Sequence, residues 1–277
     1  MNTQPTARRR PWHAAPARVL VLVFSLACLL AARATSAQTE PGLTSDSLFN
    51  AGEMQDLWLR VNSQDWVDLQ NHYLDSTYYP ADFEWRGVVV RNVGIRSRGR
   101  ASRSATKPGL SVDFNRYVSG QNFLGLKSIV LDNHWQDPSM MHERLSMLVF
   151  QRMGIPAPRE AYVRLYVGPD RTFIGVYAVV EAIDKAFLMR TLQENDGHLY
   201  QYNNVDPYHF EDRDQDLRWF ADRFEPKTHE NESSWSLYTP IKELVQTVNL
   251  QDDSRMQDEL PEYLNLPQVA TFLAVQN

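Results

Sequence analysis

Five cations fall within twelve residues, at Arg96, Arg98, Arg100, Arg103 and Lys107. Gly99, Ser102 and Ser104 stand among them, and Pro108-Gly109 follows. Cationic side chains, together with backbone N–H groups freed by glycine and serine, suit the oxygens of a phosphate. Two β-like runs flank the segment, so it reads as a loop held between strands. The phosphate-loop pattern GxxxxGK[ST] is absent. The same composition also suits a solvated surface loop, and the residues alone leave both readings open.

A second pair is Lys107 and Glu143. Glu143 falls between Met140, Met147 and Phe150 on a helical pattern. A carboxylate among apolar side chains needs a partner. A lysine at the mouth of a neighbouring strand would be one; a glutamate at the helix edge reaching solvent is the alternative. Asp212-x-Asp214-x-Asp216 resembles the start of a calcium loop, but Leu217 stands where Gly is needed and Arg223 where Glu is needed. It reads as a solvated acidic loop. His142-Glu143 and His229-Glu230 lack the second histidine of HExxH, and no GxSxG or GxGxxG occurs. The seven histidines show no metal-ligand spacing. Asn231-Glu232-Ser233 is a glycosylation sequon.

The elements that must hold these residues are mostly strands. Residues 54–61 alternate apolar and polar, a half-buried strand. Residues 63–74 predict a short helix capped by Ser63. Val88–Val90 and Val93–Ile95 are β-branched runs separated by a turn or bulge at Arg91-Asn92. Leu110–Phe114 and Ser128–Leu131 are further strands. Asp137-Pro138 predicts a helix start, with the helix running to Met153 and stopping at Gly154. Apolar stripes on two sides predict that this helix is buried on both. Tyr162–Val167 and Thr172–Val180 form a hairpin across Gly168-Pro169-Asp170. Helices are expected over 184–192, 240–248 and from Pro267. Residues 203–235 are acidic, aromatic and aperiodic, an irregular insertion.

The whole chain of 277 residues carries 28 basic and 34 acidic side chains, a net charge of −6. Its first 37 residues hold five arginines and no acid, so the remainder is at −11. That excludes general nucleic-acid binding, which needs a basic footprint. The only cysteine is Cys28, so a disulfide framework, a cysteine-ligated zinc and a cysteine nucleophile are excluded beyond it. Residues 1–37 predict a secretory signal: Arg8–Arg10 and Arg18, an apolar run from Val19 to Ala32, then Thr35-Ser36-Ala37. A run of 14 residues is too short for a membrane span, which needs ~20. The mature chain is expected to be exported, with no transmembrane segment.

The order of motifs resembles the CotH kinase family, named for a spore-coat protein. The residues that carry the resemblance are Val93–Gly99, Lys107–Phe114, Gly120–Lys127 and Ile129–Asn133. Asp137–Leu145, Met153–Arg159 and Gly175–Leu188 continue it. Together they cover residues 56 to about 200. The resemblance implies ATP-dependent phosphorylation, with Mg or another divalent cation, of Ser or Thr on an exported or surface protein. It implies that the Arg98-Gly99…Ser102 turn covers the phosphates. Lys107 would touch them, Glu143 would hold Lys107, and Glu181 would lie near the adenine at a hinge. The family's catalytic and metal-binding aspartates are expected beyond Asn277, so no catalytic residue is assigned and the chain is expected to be an inactive fragment by itself.

The expected fold is α+β and kinase-like with two lobes. After the signal (1–37) and a loose linker (38–53), residues 54–181 form a mostly antiparallel N-lobe sheet with one buried helix. Residues 182–277 begin an incomplete C-lobe that carries the acidic insertion 203–235. The rival expectation is a non-catalytic kinase-like scaffold at the surface, with Trp219 and Trp235 on its contact face. Nothing in the residue pattern fixes an oligomeric state.

Overall fold

The structure is a computed structural model that describes residues 42–203, 205–214 and 216–276. The expected export signal at 1–37 lies outside the described residues. Among those residues no helix is long and apolar enough to cross a membrane.

The fold is mixed α+β, and a sheet dominates it. Strands β1 (Gln55–Val61), β2 (Tyr79–Trp85), β3 (Val88–Ser97), β4 (Leu110–Asp113), β5 (Ser128–Asp132), β6 (Glu160–Val167) and β7 (Thr172–Glu181) form it. Their order is β1-β2-β3-β4-β5-β7-β6, and the sheet closes into a barrel because β6 returns to β1. That closing pair is parallel, with Leu57 opposite Leu165, while every other neighbour is antiparallel. The expectation of a mostly antiparallel sheet therefore holds, with six antiparallel pairs and one parallel. The closure was not anticipated, and the clear two-lobed form is not what the barrel shows.

Alternation explains the interior. Leu57, Leu59 and Val61 of β1, Phe83 and Trp85 of β2, and Val163, Leu165 and Val167 of β6 all point inward and are buried. Phe83 meets Phe114 edge-on at 5.1 Å and Phe123 at 4.7 Å, an aromatic plug within the barrel core. The Trp85 indole N–H donates to Gln55 Oε1 (2.7 Å), so this polar atom is satisfied where it is buried. Arg91-Asn92 is a bulge inside one continuous strand: β2 and β3 shift register between Ala81 and Phe83. Asn92 there has φ +53°, and its N–H is held by Asp82 Oδ1.

Three expectations about helices are corrected. The short helix α1 (Ser45–Leu48) lies in the supposed linker, and Leu48 and Phe49 join the barrel core. Helix α2 spans Ser63–Asn71, but Asn62, not Ser63, caps it by accepting from the Gln64 N–H. Helix α3 spans His142–Arg152, starting four residues later than Asp137-Pro138 predicted. Met140, at φ +57°, breaks the first turn, and the Asp137 carboxylate instead reaches forward to the N–H of His142. No residue of α3 is buried, so the doubly buried helix is overturned. One side packs on α8 (Leu266–Gln276) through the stacked rings of Phe150 and Phe272, at 5.5 Å. The stripe Met141, Leu145 and Val149 faces outward.

Beyond β7 the chain forms α4 (Lys185–Leu192), the ribbon β8 (Tyr200–Tyr202) with β9 (Phe224–Pro226), and α5 (Leu217–Ala221) between them. Then come α6 (Ser234–Val248), α7 (Asp253–Glu259) and α8. The segment expected to be irregular holds its own small core. Tyr208, Phe220 and Phe224 pack with Leu237, Tyr238, Ile241 and Val245 of α6. The aromatics that looked aperiodic are what that core is made of.

Candidate functional site

The register of three strands gathers the site. Ser97 faces Leu110, and Leu110 faces Leu131. The exit of β3, the entry of β4 and the exit of β5 therefore lie side by side. Arg98, Lys107 and Asp132 sit one to three residues beyond those partners. Across β7, Asp132 pairs with Ala178 and Ala178 with Tyr162, which brings Glu160 of β6 to the same neighbourhood.

The loop from Arg98 to Lys107 is tied down by one buried amide. Asn133, 1% exposed, donates through Nδ2 to the carbonyls of Ser102 (2.9 Å) and Lys107 (2.7 Å). The Arg98 N–H donates to the Gly109 carbonyl (2.9 Å). Gly99 adopts φ +111°, and a Cβ there would lie 2.5 Å from Ser102 Oγ, so the turn requires glycine. Arg103 donates to the carbonyls of Gly99, Tyr73 and Asp75 and is a brace for the loop. Arg100 reaches the Asn203 carbonyl. Arg96 lies over the Tyr78 ring, so of the five cations Arg98 and Lys107 are the two left beside Asp132.

Lys107 is half-buried. Its ammonium lies 5.0 Å from the centre of the Tyr177 ring, and Tyr177 donates its hydroxyl hydrogen to the Pro108 carbonyl. Gly175 lets the lysine stem pass, since a Cβ there would stand 3.0 Å from Lys107 Cε. Burial pushes the Lys107 ammonium below the usual lysine range, and the nearby charge of Asp132 only partly restores it. Lys107 and Glu143 make no ion pair with each other. Glu143 instead faces Asp132 and Arg98; burial and the Asp132 charge push its carboxyl up, and Arg98 opposes them.

Three residues that sequence reasoning missed, Asp132, His134 and Glu160, complete the cluster. Asp132, His134 and Glu143 each offer a ligand atom, all within 4.8 Å of one another. His134 has φ +51° and a buried ring whose Nε2 has no hydrogen-bond partner. Burial holds its imidazole below the ordinary histidine range. Glu160 is 1% exposed with neither carboxylate oxygen partnered, and burial and the Glu143 charge push it to about 7. A cleft of about 300 Å³ opens here, lined by Ser102, Asp132, His134 and Glu143 among others. Its donor set is oxygen with one imidazole nitrogen, beside two cations. Such a site can hold a divalent cation against an anionic ligand.

Glu181 stands apart from this cluster. Its buried carboxylate is gripped by Arg159 (2.6 Å) and Arg190 (2.5 Å), and it also accepts from the Arg159 N–H (3.1 Å). Burial raises the group, but these hydrogen bonds outweigh burial and hold it below the usual range. Its side chain is fully engaged as a structural hub.

Comparison with known proteins places the chain. The family described as "CotH kinase protein" matches residues 95–277, more than half of the sequence. The chain belongs to that family. It is also 25% identical over 132 residues to the inner spore coat protein H of Bacillus subtilis (strain 168). That alignment takes in 48% of this chain and 35% of the relative, so the match spans about a third of the relative's length.

Proposed function

We propose that this chain supplies the nucleotide-phosphate-binding part of an ATP-dependent kinase acting on Ser or Thr of exported or surface proteins. The observation that carries the reading is Lys107: a half-buried ammonium with no ion-pairing carboxylate among the described residues, held over Tyr177 beside Asp132. A desolvated, unneutralised cation is poised for an anionic ligand from outside the chain. Family membership supports the same reading, and so does the glycine-dependent turn at Gly99 beside it.

The residues fit the group the family implies. Lys107 and Arg98 would hold phosphate oxygens, and the Gly99–Ser102 turn would lie over them. Asp132, His134 and Glu143 would hold a divalent cation, with His134 Nδ1 the ring nitrogen nearest Asp132. When bound, ATP with its cation supplies the phosphoryl group and neutralises the charge that builds on it. The chain's own part is to bind, orient and exclude water. Glu181 contributes at the hinge through its two arginines, not through a free carboxylate. The apolar run at 19–32 and the spore-coat relative support an exported location.

Lys107→Ala is expected to weaken Mg-ATP binding about ten- to a hundredfold, the worth of one charged hydrogen bond. Calorimetric titration of the wild type and the variant checks this. Equal affinities, or no binding by the wild type, would favour the non-catalytic scaffold.

A further inference from the structure

A second cluster lies in the segment the sequence left as irregular. His198, His229 and Glu232 each offer a ligand atom, all within 4.8 Å of one another. None of the three lines the cleft at Lys107. His198 Nε2 is 3.0 Å from Glu232 Oε2, and His229 Nδ1 is 2.9 Å from Glu232 Oε1. Both oxygens of one carboxylate are thus turned to two imidazoles, whose ring centres are 5.0 Å apart.

The far side of His229 makes the arrangement informative. Its Nε2 lies 2.8 Å from the Asp196 carbonyl oxygen, which can only accept. Nε2 therefore carries the hydrogen. A neutral imidazole has one N–H, so Nδ1 is left with its lone pair facing the Glu232 carboxylate. Either a proton on Nδ1 or a cation bound to both atoms resolves that opposition, and the open cavity beside them gives a cation access. An imidazole anchored to a carbonyl on one nitrogen, with the other nitrogen free, is the usual outer support of a metal-bound histidine. Glu232 has matching support: the Ser236 hydroxyl donates to its Oε2 at 2.6 Å.

The frame is rigid. The Lys227 N–H donates to the Leu199 carbonyl (2.7 Å), extending the β8–β9 ribbon. Thr228 Oγ1 donates to the Gly197 carbonyl and accepts from the Leu199 N–H, both at 2.8 Å. Ser233 caps α6 immediately after Glu232. These contacts hold His198 and His229 side by side although 31 positions separate them.

We propose that His198 Nε2, His229 Nδ1 and the Glu232 carboxylate form a zinc-type divalent metal site, separate from the nucleotide cleft. Two imidazoles and one carboxylate are a known zinc donor set that leaves a coordination position open. His229 and Glu232 line a cavity of about 650 Å³ whose walls also carry Lys127, Lys185 and Lys227. Water or a small anion can reach a metal there. The single-chain spacing concealed this site because His198 comes from the other strand of the ribbon.

The test uses the full chain, stripped with a chelator and titrated with Zn²⁺ by calorimetry. Co²⁺ substitution, read by its visible absorption, serves as a geometric check. The wild type is expected to bind one Zn²⁺ at this site and to give the intense absorption of four-coordinate Co²⁺. His229→Ala and His198→Ala should each weaken binding by about a hundredfold or more. Ser236→Ala, which removes only an outer support, should weaken it about tenfold. Glu143→Gln, in the other proposed cation site, should leave intact the binding that His198→Ala and His229→Ala remove. Thermal melts in chelator establish that each variant folds; should His229→Ala fail, His198→Ala and Ser236→Ala carry the comparison. Zn²⁺ affinity that is unchanged in the folded ligand variants, or that falls only with Glu143→Gln, overturns the proposal.

Discussion

Glu160 shows how the cluster stores electrostatic tension. Its carboxyl titrates near 7, far above the ordinary value of 4.5. The proton-bound form is therefore favoured by folding. That stabilisation is complete below the unfolded value near 4.5 and is lost as pH rises towards 7. The difference amounts to about 3 kcal/mol at pH 8. Glu160→Gln should raise the melting temperature at pH 8 and change little at pH 4; melts across that range check it, and a variant less stable at pH 8 would contradict it. The sequence made Lys107, Arg98 and Glu143 legible because their spacing and apolar surroundings were unusual. Asp132, His134 and Glu160 were not legible, since each is one polar residue at a strand end and only the β5–β7–β6 register brings them together. Lys107 and Glu143 make no ion pair because each lies at the end of a different element, and the charges felt by both include that of Asp132.

At the scale of elements, two buried polar residues do the positioning. Asn133 ties the middle of the Arg98–Lys107 loop to its end, and Glu181 joins the end of β7 to Arg159 and Arg190. Glu181→Gln breaks a buried ion network and should cost about 3–5 kcal/mol at pH 7. Because folding depresses this carboxyl, its contribution is present above the ordinary glutamate range and lost as pH falls through its folded value. Chemical denaturation of both proteins should thus show a gap at pH 7 that narrows in acid; a constant gap would mean the charge is not what matters. Strand alternation was readable residue by residue, as Leu57, Leu59 and Val61 show. Helix α3 was not. Its methionines and leucines cover two sides, which reads as full burial, yet only the Phe150 side meets a neighbour. Period alone tells which residues share a face, not whether that face is covered.

For the whole molecule, the feature that organises the site is closure of the barrel. The parallel β1–β6 pairing joins residues more than a hundred positions apart, and no local pattern in either strand announces it. Once closed, the barrel fixes the β3, β4 and β5 ends as a rigid rim from which Lys107, Arg98 and Asp132 project. The central claim is that this rim takes the triphosphate. Hydrogen exchange followed by mass spectrometry, with and without Mg-ATP, tests it over the whole chain at once. The account predicts slowed exchange in residues 98–109 and 132–144, loss of that protection in Lys107→Ala, and no change across residues 196–236. Protection that is absent, or that appears only outside the rim, would contradict it.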